Sequence, residues 1–477
     1  MNYRMITYIL GWILIFEGLF MAVPMITAAV YGEPVLWSYL MVQSGCMLIG
    51  GLIVMKKPKN SHLYAREGAV IVALSWIVLS AFGALPFVLS KEIPSYINAL
   101  FETVSGFTTT GATILSDVEV MSHASLMWRS FTHWVGGMGV LVFVMAFLPL
   151  SGAQNMHIMK AESPGPSVSK LVPRVRTTAL ILYSIYLVLT VIEFVMLLFG
   201  GMTVFEALNT TFATAGTGGF GIYNSSMGGF SHYCQIVVTV FMILFATNFN
   251  CFFFIMTGKL KDAFGVEVRT FLIIIASFTA LITLNTLSLF ATPGDALRNS
   301  AFTVASIVSS TGFSTVDFNL WPELSRTLII ILMFIGACAG STGGGMKVSR
   351  IIILFKGMAK ELQTMVQPRQ IKKIKMDSHI IDHETVRSVN VFMVAYMMIF
   401  VISAIFVSFD NHDLITTFTS VATTMNNTGP GLGLVGPTGN FGFFSTPSKI
   451  VLIFDMLAGR LELFPMLLLF TPGTWKK

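Results

Sequence analysis

Four Thr-Gly pairs carry the most chemistry in this sequence: Thr110-Gly111, Thr217-Gly218, Thr311-Gly312 and Thr428-Gly429, recurring roughly every 100 residues. Each follows a stretch too short to cross a bilayer core (95–108, 203–215, 296–308 and 412–424), where a spanning helix needs about 20 residues. Glycine permits backbone conformations that let successive carbonyl oxygens face one way, and threonine adds a hydroxyl oxygen. Four such strands around one axis would make rings of oxygens able to replace the hydration shell of a cation. A single Thr-Gly says nothing, and the bland reading is four ordinary turns. Two details complicate the repeat. In Ala215-Gly-Thr-Gly-Gly-Phe220 three glycines, Gly216, Gly218 and Gly219, compete for the register, and Pro430 follows the fourth glycine where the third repeat has Phe313.

The elements that must hold these turns are membrane helices. Of the 477 residues 54% are hydrophobic and 11% charged, against about 25% charged in soluble domains. The surface of a large soluble domain could not be covered from this composition. About ten crossings are expected, near 5–30, 36–55, 67–90, 124–150, 178–200, 231–257, 268–291, 326–357, 389–409 and 448–473. The first apolar run is too long for a signal peptide and reads as a membrane helix. The expected fold is an all-α membrane protein: an N-terminal two-helix hairpin (1–60), then four helix–pore loop–helix repeats (61–160, 161–262, 263–375 and 376–477), pseudo-fourfold around a central pore. Cys46, Cys234, Cys251 and Cys338 sit in or beside apolar runs without metal-type spacing and read as small core residues.

With cytoplasmic termini, 23 of the 29 Lys and Arg residues fall inside, nine of them in the segment 347–387. Lys91, Arg129, Arg298, Arg326 and Lys449 fall outside, and Arg460 stays within a membrane helix. The net charge of +6 thus marks cytoplasmic loops rather than a nucleic-acid surface. All four Thr-Gly turns lie on the outer side. So do Glu92, Asp117, Glu119, Asp295, Asp317, Glu323, Asp410 and Asp413, either an acidic vestibule that concentrates cations or ordinary loop residues.

Two further features sit at membrane depth. Gly340, Ser341, Thr342, Gly343, Gly344 and Gly345 interrupt the eighth crossing, and consecutive glycines cost about 1 kcal/mol each in a helix interior. A nucleotide-binding loop is excluded, because Met346 breaks the Gly-Lys spacing and no strand precedes it. Close helix packing through Gly336-x-x-x-Gly340 and a flexible loop lining a pore both remain. Arg460 would cost at least ~3 kcal/mol unpaired in lipid, so it faces protein or water. Asp455 and Glu462 are not at the spacing that would face it. Lesser signals are His379 and His383, a metal pair or a solvated helix face, and Glu17 and Glu193, proton carriers or buried acids. His133-Trp134-Val-Gly-Gly-Met-Gly139 permits tight packing. No clustered catalytic groups are found, so an enzyme is not expected.

On these turns, the initial hairpin and the His133 segment, nearly the whole chain resembles the Trk/Ktr/HKT superfamily of potassium transporters, and most closely its TrkH type. The resemblance implies a potassium filter at Thr110, Gly111, Thr217, Gly218, Thr311, Gly312, Thr428 and Gly429. It also implies a gating loop at 340–345, with Arg460 projecting into the pore as an electrostatic barrier. Potassium would be the substrate, held only at the filter, with no other metal or cofactor. A homodimer in the cell inner membrane and a cytoplasmic, nucleotide-binding TrkA-like partner are implied in the same way. Gated, channel-like uptake is expected. Coupling of potassium to protons or sodium is the alternative.

Overall fold

The computed structural model describes residues 1–58, 63–139, 175–369, 373–377 and 379–475, the side chains of 175, 176 and 379 excepted. The chain is overwhelmingly helical. Among the described residues its one sheet is a small antiparallel ladder, Lys375–Met376 with His379–Ile380.

Six stretches are long and apolar enough to cross a bilayer: Tyr3–Tyr31, Leu36–Val54, Ala65–Leu89, Thr177–Phe199, Val266–Leu289 and His383–Ser408. They coincide with six of the ten expected crossings. Their surfaces are inverted relative to a soluble protein. Leu187, Val188, Val191 and Ile192 are exposed on the helix Val175–Phe199 while Glu193 of the same helix, and Glu17 of Tyr3–Phe20, are fully buried, the arrangement expected where lipid is the solvent.

The other four expected crossings, the second helix of each pair, depart from that expectation. His123–Gly137, His232–Ala246, Glu323–Ile335 and Thr446–Arg460 run only 13 to 15 residues, about 20 Å at 1.5 Å per residue and short of a ~30 Å core. The stretch 231–257 bends by 92° between His232–Ala246 and Phe249–Met256. The stretch 326–357 is broken from Gly336 to Lys347, a wider gap than the glycine run alone predicts. The stretch 448–473 breaks at Leu461, Glu462 and Leu463, the last two with positive φ. In the first pair the helix ends at Gly137; positions 140–150, and the expected repeat boundary at 160, lie outside the described residues. Each break has partners elsewhere in the fold. Phe249 N–H bonds the Gly340 carbonyl and Cys338 N–H the Ala246 carbonyl, so two interrupted helices satisfy one another's backbone.

Four half-length helices complete the architecture: Tyr96–Phe107, Val204–Ala215, Pro293–Val308 and Leu414–Asn426. Three begin on side-chain caps. Thr203 accepts from Glu206 N at 3.3 Å, Thr292 from Asp295 N at 3.1 Å and Asp413 from Thr416 N at 3.0 Å.

Candidate ion-binding site

All four half-helices end in the same way. Thr109, Thr217, Ser310 and Asn427 take left-handed φ of 56°, 55°, 59° and 51°. The next residue then bonds back across the turn: Thr110 N–H to Ser105 O at 2.9 Å, Gly218 to Ala213 at 2.8 Å, Thr311 to Ser306 at 2.8 Å and Thr428 to Thr423 at 2.9 Å. This is the six-residue closure that terminates helices. A glycine with positive φ follows each time: Gly111 (79°), Gly219 (76°), Gly312 (85°) and Gly429 (92°).

That pattern shifts the second loop by one residue from its expected register. Thr217 is the cap, Gly218 stands where the others have Thr110, Thr311 and Thr428, and Gly219 takes the glycine position. The cause lies in a neighbour. A Cβ on Gly218 would run into the imidazole of His133, so no threonine fits there.

The four loops close a cycle. A Cβ on Gly111 would collide with the carbonyl oxygen of Gly218, and one on Gly219 with that of Thr311. One on Gly312 would meet Thr428 O, and one on Gly429 would lie 2.7 Å from Thr110 O. The Gly111 position is also only 3.6 Å from Thr311 O, in the third loop. These carbonyls (Thr110, Gly218, Thr311 and Thr428) accept no hydrogen bond from any described residue, although the loops are buried. Buried carbonyls are normally paired, so this ring of oxygens is available to a cation. Of the threonine hydroxyls, Thr110 pairs with Thr108 at 2.8 Å and Thr311 with Ser309 at 2.7 Å, while Thr217 donates to Gly216 O. Pro430 packs its Cδ against the space beside Gly312, 2.7 Å from where a Cβ would stand.

Contacts behind and above the ring join the same neighbours. Asn427 Nδ2 donates to Thr110 Oγ1 at 2.9 Å. His133 Nδ1 meets Gly106 O at 2.7 Å, and its Nε2 accepts from Phe220 N at 3.2 Å. A carbonyl can only accept and an N–H only donate, so these two bonds require a neutral imidazole carrying its proton on Nδ1. Arg129 pairs with Glu102 at 2.8 Å, donates to Gly221 O and lies over the Phe220 ring. It is 2% exposed and braces the first loop to the second.

Farther out, Asn224 bonds Asp117, Val118 and Glu119, Ser226 bonds Ser314, Asn319 bonds Gly433, and Phe441 bonds Thr113. The eight outer acids are all engaged in such ties. Glu92, Asp410 and Asp413 cap helices, Asp317 bonds Asn319, and Asp295 and Glu323 pair with Arg298 and Arg326. Hydrogen bonds from Thr416 hold the Asp413 carboxyl below the ordinary range, and those from Asn224 and Glu119 do the same for Asp117.

Under the ring lies the segment 336–347. Gly344 N–H donates to Ser310 Oγ at 2.5 Å and Gly345 N–H to Asn426 O at 3.0 Å, so the segment touches the ends of the third and fourth half-helices. Thr342 bonds Phe245 O through its hydroxyl at 3.1 Å. Arg460 reaches the same place. Its Nη1 donates to Thr342 O at 2.8 Å and its Nη2 to Gly136 O and Gly137 O at 2.6 and 2.7 Å. The predicted residues 340–345 and Arg460 are thus one cluster, with the arginine also holding the carboxyl end of His123–Gly137, where a cation is favoured. Asp455 bonds Ser403 and Glu462 pairs with Arg350.

Lys347 and Arg350 correct a further expectation. Both are buried rather than part of a solvated basic loop, with Lys347 Nζ on Gly343 O and Arg350 over the Phe392 ring. Lys347 also carries a φ of 77°. For the His379–His383 pair, the His379 side chain lies outside the described residues. No group of metal-ligating residues occurs among the described ones.

Comparison with known proteins adds the family. The TrkH family, described as "Cation transport protein", matches residues 43–476. The Trk system potassium uptake protein TrkH of Escherichia coli (strain K12) is 35% identical over 100% of both chains, as is the Vibrio parahaemolyticus protein of the same name. The crystal structure of the potassium transporter TrkH from Vibrio parahaemolyticus aligns over 100% of both chains with a TM-score of 0.89 and 34% identity. An oxygen ring closed by the ends of four half-helices, with a glycine-rich break and an arginine beneath it, is therefore carried by a multi-pass membrane protein that belongs to the TrkH family of cation transport proteins.

Proposed function

We propose that this protein takes potassium into the cell by gated passage through one central pore. The observation that carries the reading is the closed cycle of buried, unpaired carbonyls at Thr110, Gly218, Thr311 and Thr428. A dehydrated monovalent cation is the ligand that such a ring suits. The relatives named as potassium uptake proteins supply the choice of ion. In this reading the filter comprises Thr110, Gly111, Thr217, Gly218, Gly219, Thr311, Gly312, Thr428 and Gly429. Four repeats around the pore, ten crossings in all with four of them interrupted, and cytoplasmic termini in the inner membrane complete it.

Residues 340–345 form the gate and Arg460 locks it. The guanidinium places positive charge under the filter and ties the loop to the helix His123–Gly137. Passive uptake needs no further energy source. A potential of −100 mV contributes about 2.3 kcal/mol per monovalent charge, against about 1.4 kcal/mol for a tenfold gradient. A homodimer and a TrkA-like nucleotide-binding partner on the cytoplasmic side belong to the same proposal, resting on family likeness.

Coupling to protons is the second reading, supported by Glu17, which is fully buried with no hydrogen-bond partner among the described residues. Reversal potentials of purified protein in liposomes separate the two: a voltage that tracks potassium alone, at every pH, supports the pore. Sodium passing as readily as potassium would sink the central claim.

A further inference from the structure

The breaks at 336–347 and at Thr247–Asn248 satisfy each other with backbone, but one charged side chain from a third helix also enters the cluster. Glu267 is 8% exposed and sits in the first turn of Val266–Thr286. Its Oε1 accepts from Ala339 N at 2.7 Å and from Ser349 N at 3.2 Å. Ala339 immediately precedes the run 340–345. Ser349 lies just beyond it, in the first turn of Val348–Val366, whose own N-cap, Lys347, supplies no side-chain cap. A single carboxylate oxygen therefore holds both flanks of the loop. It also supplies the anion that the positive end of that helix favours.

We propose that Glu267 positions the closed gate: it staples Ala339 to Ser349, and the loop leaves the ion path only when that staple opens. The inference rests on reading 340–345 as the gate. The other ties to the loop come from neutral groups (Ser310, Phe245 O, Asn426 O) or from the cations Arg460 and Lys347, which act on the middle of the loop at Thr342 O and Gly343 O. Glu267 is the charged side chain that spans its two ends, beside the backbone bonds from Val348 N–H to Ala337 O at 3.1 Å and from Met346 N–H to Phe334 O at 3.3 Å. A charge-assisted bond is roughly twice as strong as a neutral one, so losing this pair shifts the closed–open balance substantially.

The test is basal rubidium flux and the potassium-to-sodium permeability ratio in liposomes for Glu267→Ala, Glu267→Gln, Asp377→Ala and Arg460→Ala. Asp377 caps the same helix end through Val266 N at 2.8 Å without touching the loop, so it reports on simple loosening of that helix. Glu267→Ala is expected to raise basal flux on the order of tenfold, equivalent to about 1.4 kcal/mol, with an unchanged permeability ratio. Glu267→Gln, which keeps an acceptor oxygen, should raise it less, and Asp377→Ala not at all. If Glu267→Ala does not fold, a rise in Glu267→Gln with selectivity intact supports the proposal, and unchanged flux in it overturns the proposal. Unchanged flux in Glu267→Ala beside a rise in Arg460→Ala overturns the staple while leaving the gate in place. Equal rises in Asp377→Ala and Glu267→Ala, or lost selectivity in Glu267→Ala, also overturn it. If Arg460→Ala too leaves flux unchanged, the gate reading itself falls.

Discussion

In the second loop Gly218 supplies the ring carbonyl and Gly219 takes the positive-φ glycine position that follows it. A side chain there must adopt a φ of 76°, which costs an L-residue about 1–2 kcal/mol, and its Cβ must enter the space of Thr311 O. Gly219→Ala is expected to cut potassium flux at least about tenfold while the protein still elutes as a folded species; wild-type flux would show that the Gly219 position does not shape the ring. The Glu102–Arg129 pair acts differently, because neither charge has water to fall back on. Breaking a buried pair from one side costs about 3–5 kcal/mol. Arg129→Leu is thus expected to lower the thermal midpoint of the detergent-purified protein well below that of wild type, with Glu102→Gln/Arg129→Leu recovering part of the loss. Lys347, Glu267 and Arg129 are charged residues whose importance rests on position alone. Nothing in their sequence neighbourhoods separates them from solvated loop charges.

At the scale of elements, the half-helices are defined at both ends by local chemistry. The capping residues Thr203, Thr292 and Asp413 start three of them, and a shared turn closure stops all four. Asp413→Ala should cost about 1 kcal/mol of stability, as loss of an N-cap does. The Asp413 carboxyl is held below its ordinary range by its bonds to Thr416. Its contribution is therefore present in full above the unfolded carboxylate pKa and is lost as pH falls through the lower folded value. Thermal unfolding from pH 7 downward should show wild type and Asp413→Ala converging in acid; a constant gap would refute this. The interrupted second helices were less legible. Apolar runs such as 231–257 and 448–473 read as continuous spans, because composition reports length and solvent but not a 92° bend. The break at Thr247–Asn248 exchanges backbone bonds with the segment 336–347, while the one at 461–463 closes on its own backbone and pairs Glu462 with Arg350.

For the whole molecule, the central expectation is that selection and gating are separable. Arg460→Ala should raise basal potassium flux several-fold without changing the permeability ratio, since the arginine touches the loop and the end of His123–Gly137 but not the carbonyl ring. Flux assays with paired potassium and sodium gradients check both quantities. A selectivity change would place Arg460 in the filter's own support. The sequence by itself determined the solvent, six of the crossings, four short helices ending in Thr and Gly, and the glycine run and arginine at membrane depth. These follow from hydrophobicity and backbone permissiveness, which are properties of local composition. Only the tertiary structure decided that the four turns close one ring, that His133 forces Gly218 into a threonine's place, and that Arg460 and Glu267 meet the same loop. Those facts depend on contacts between residues from about 70 to more than 300 positions apart in the chain, and spacing along a chain does not encode distance between its folded segments.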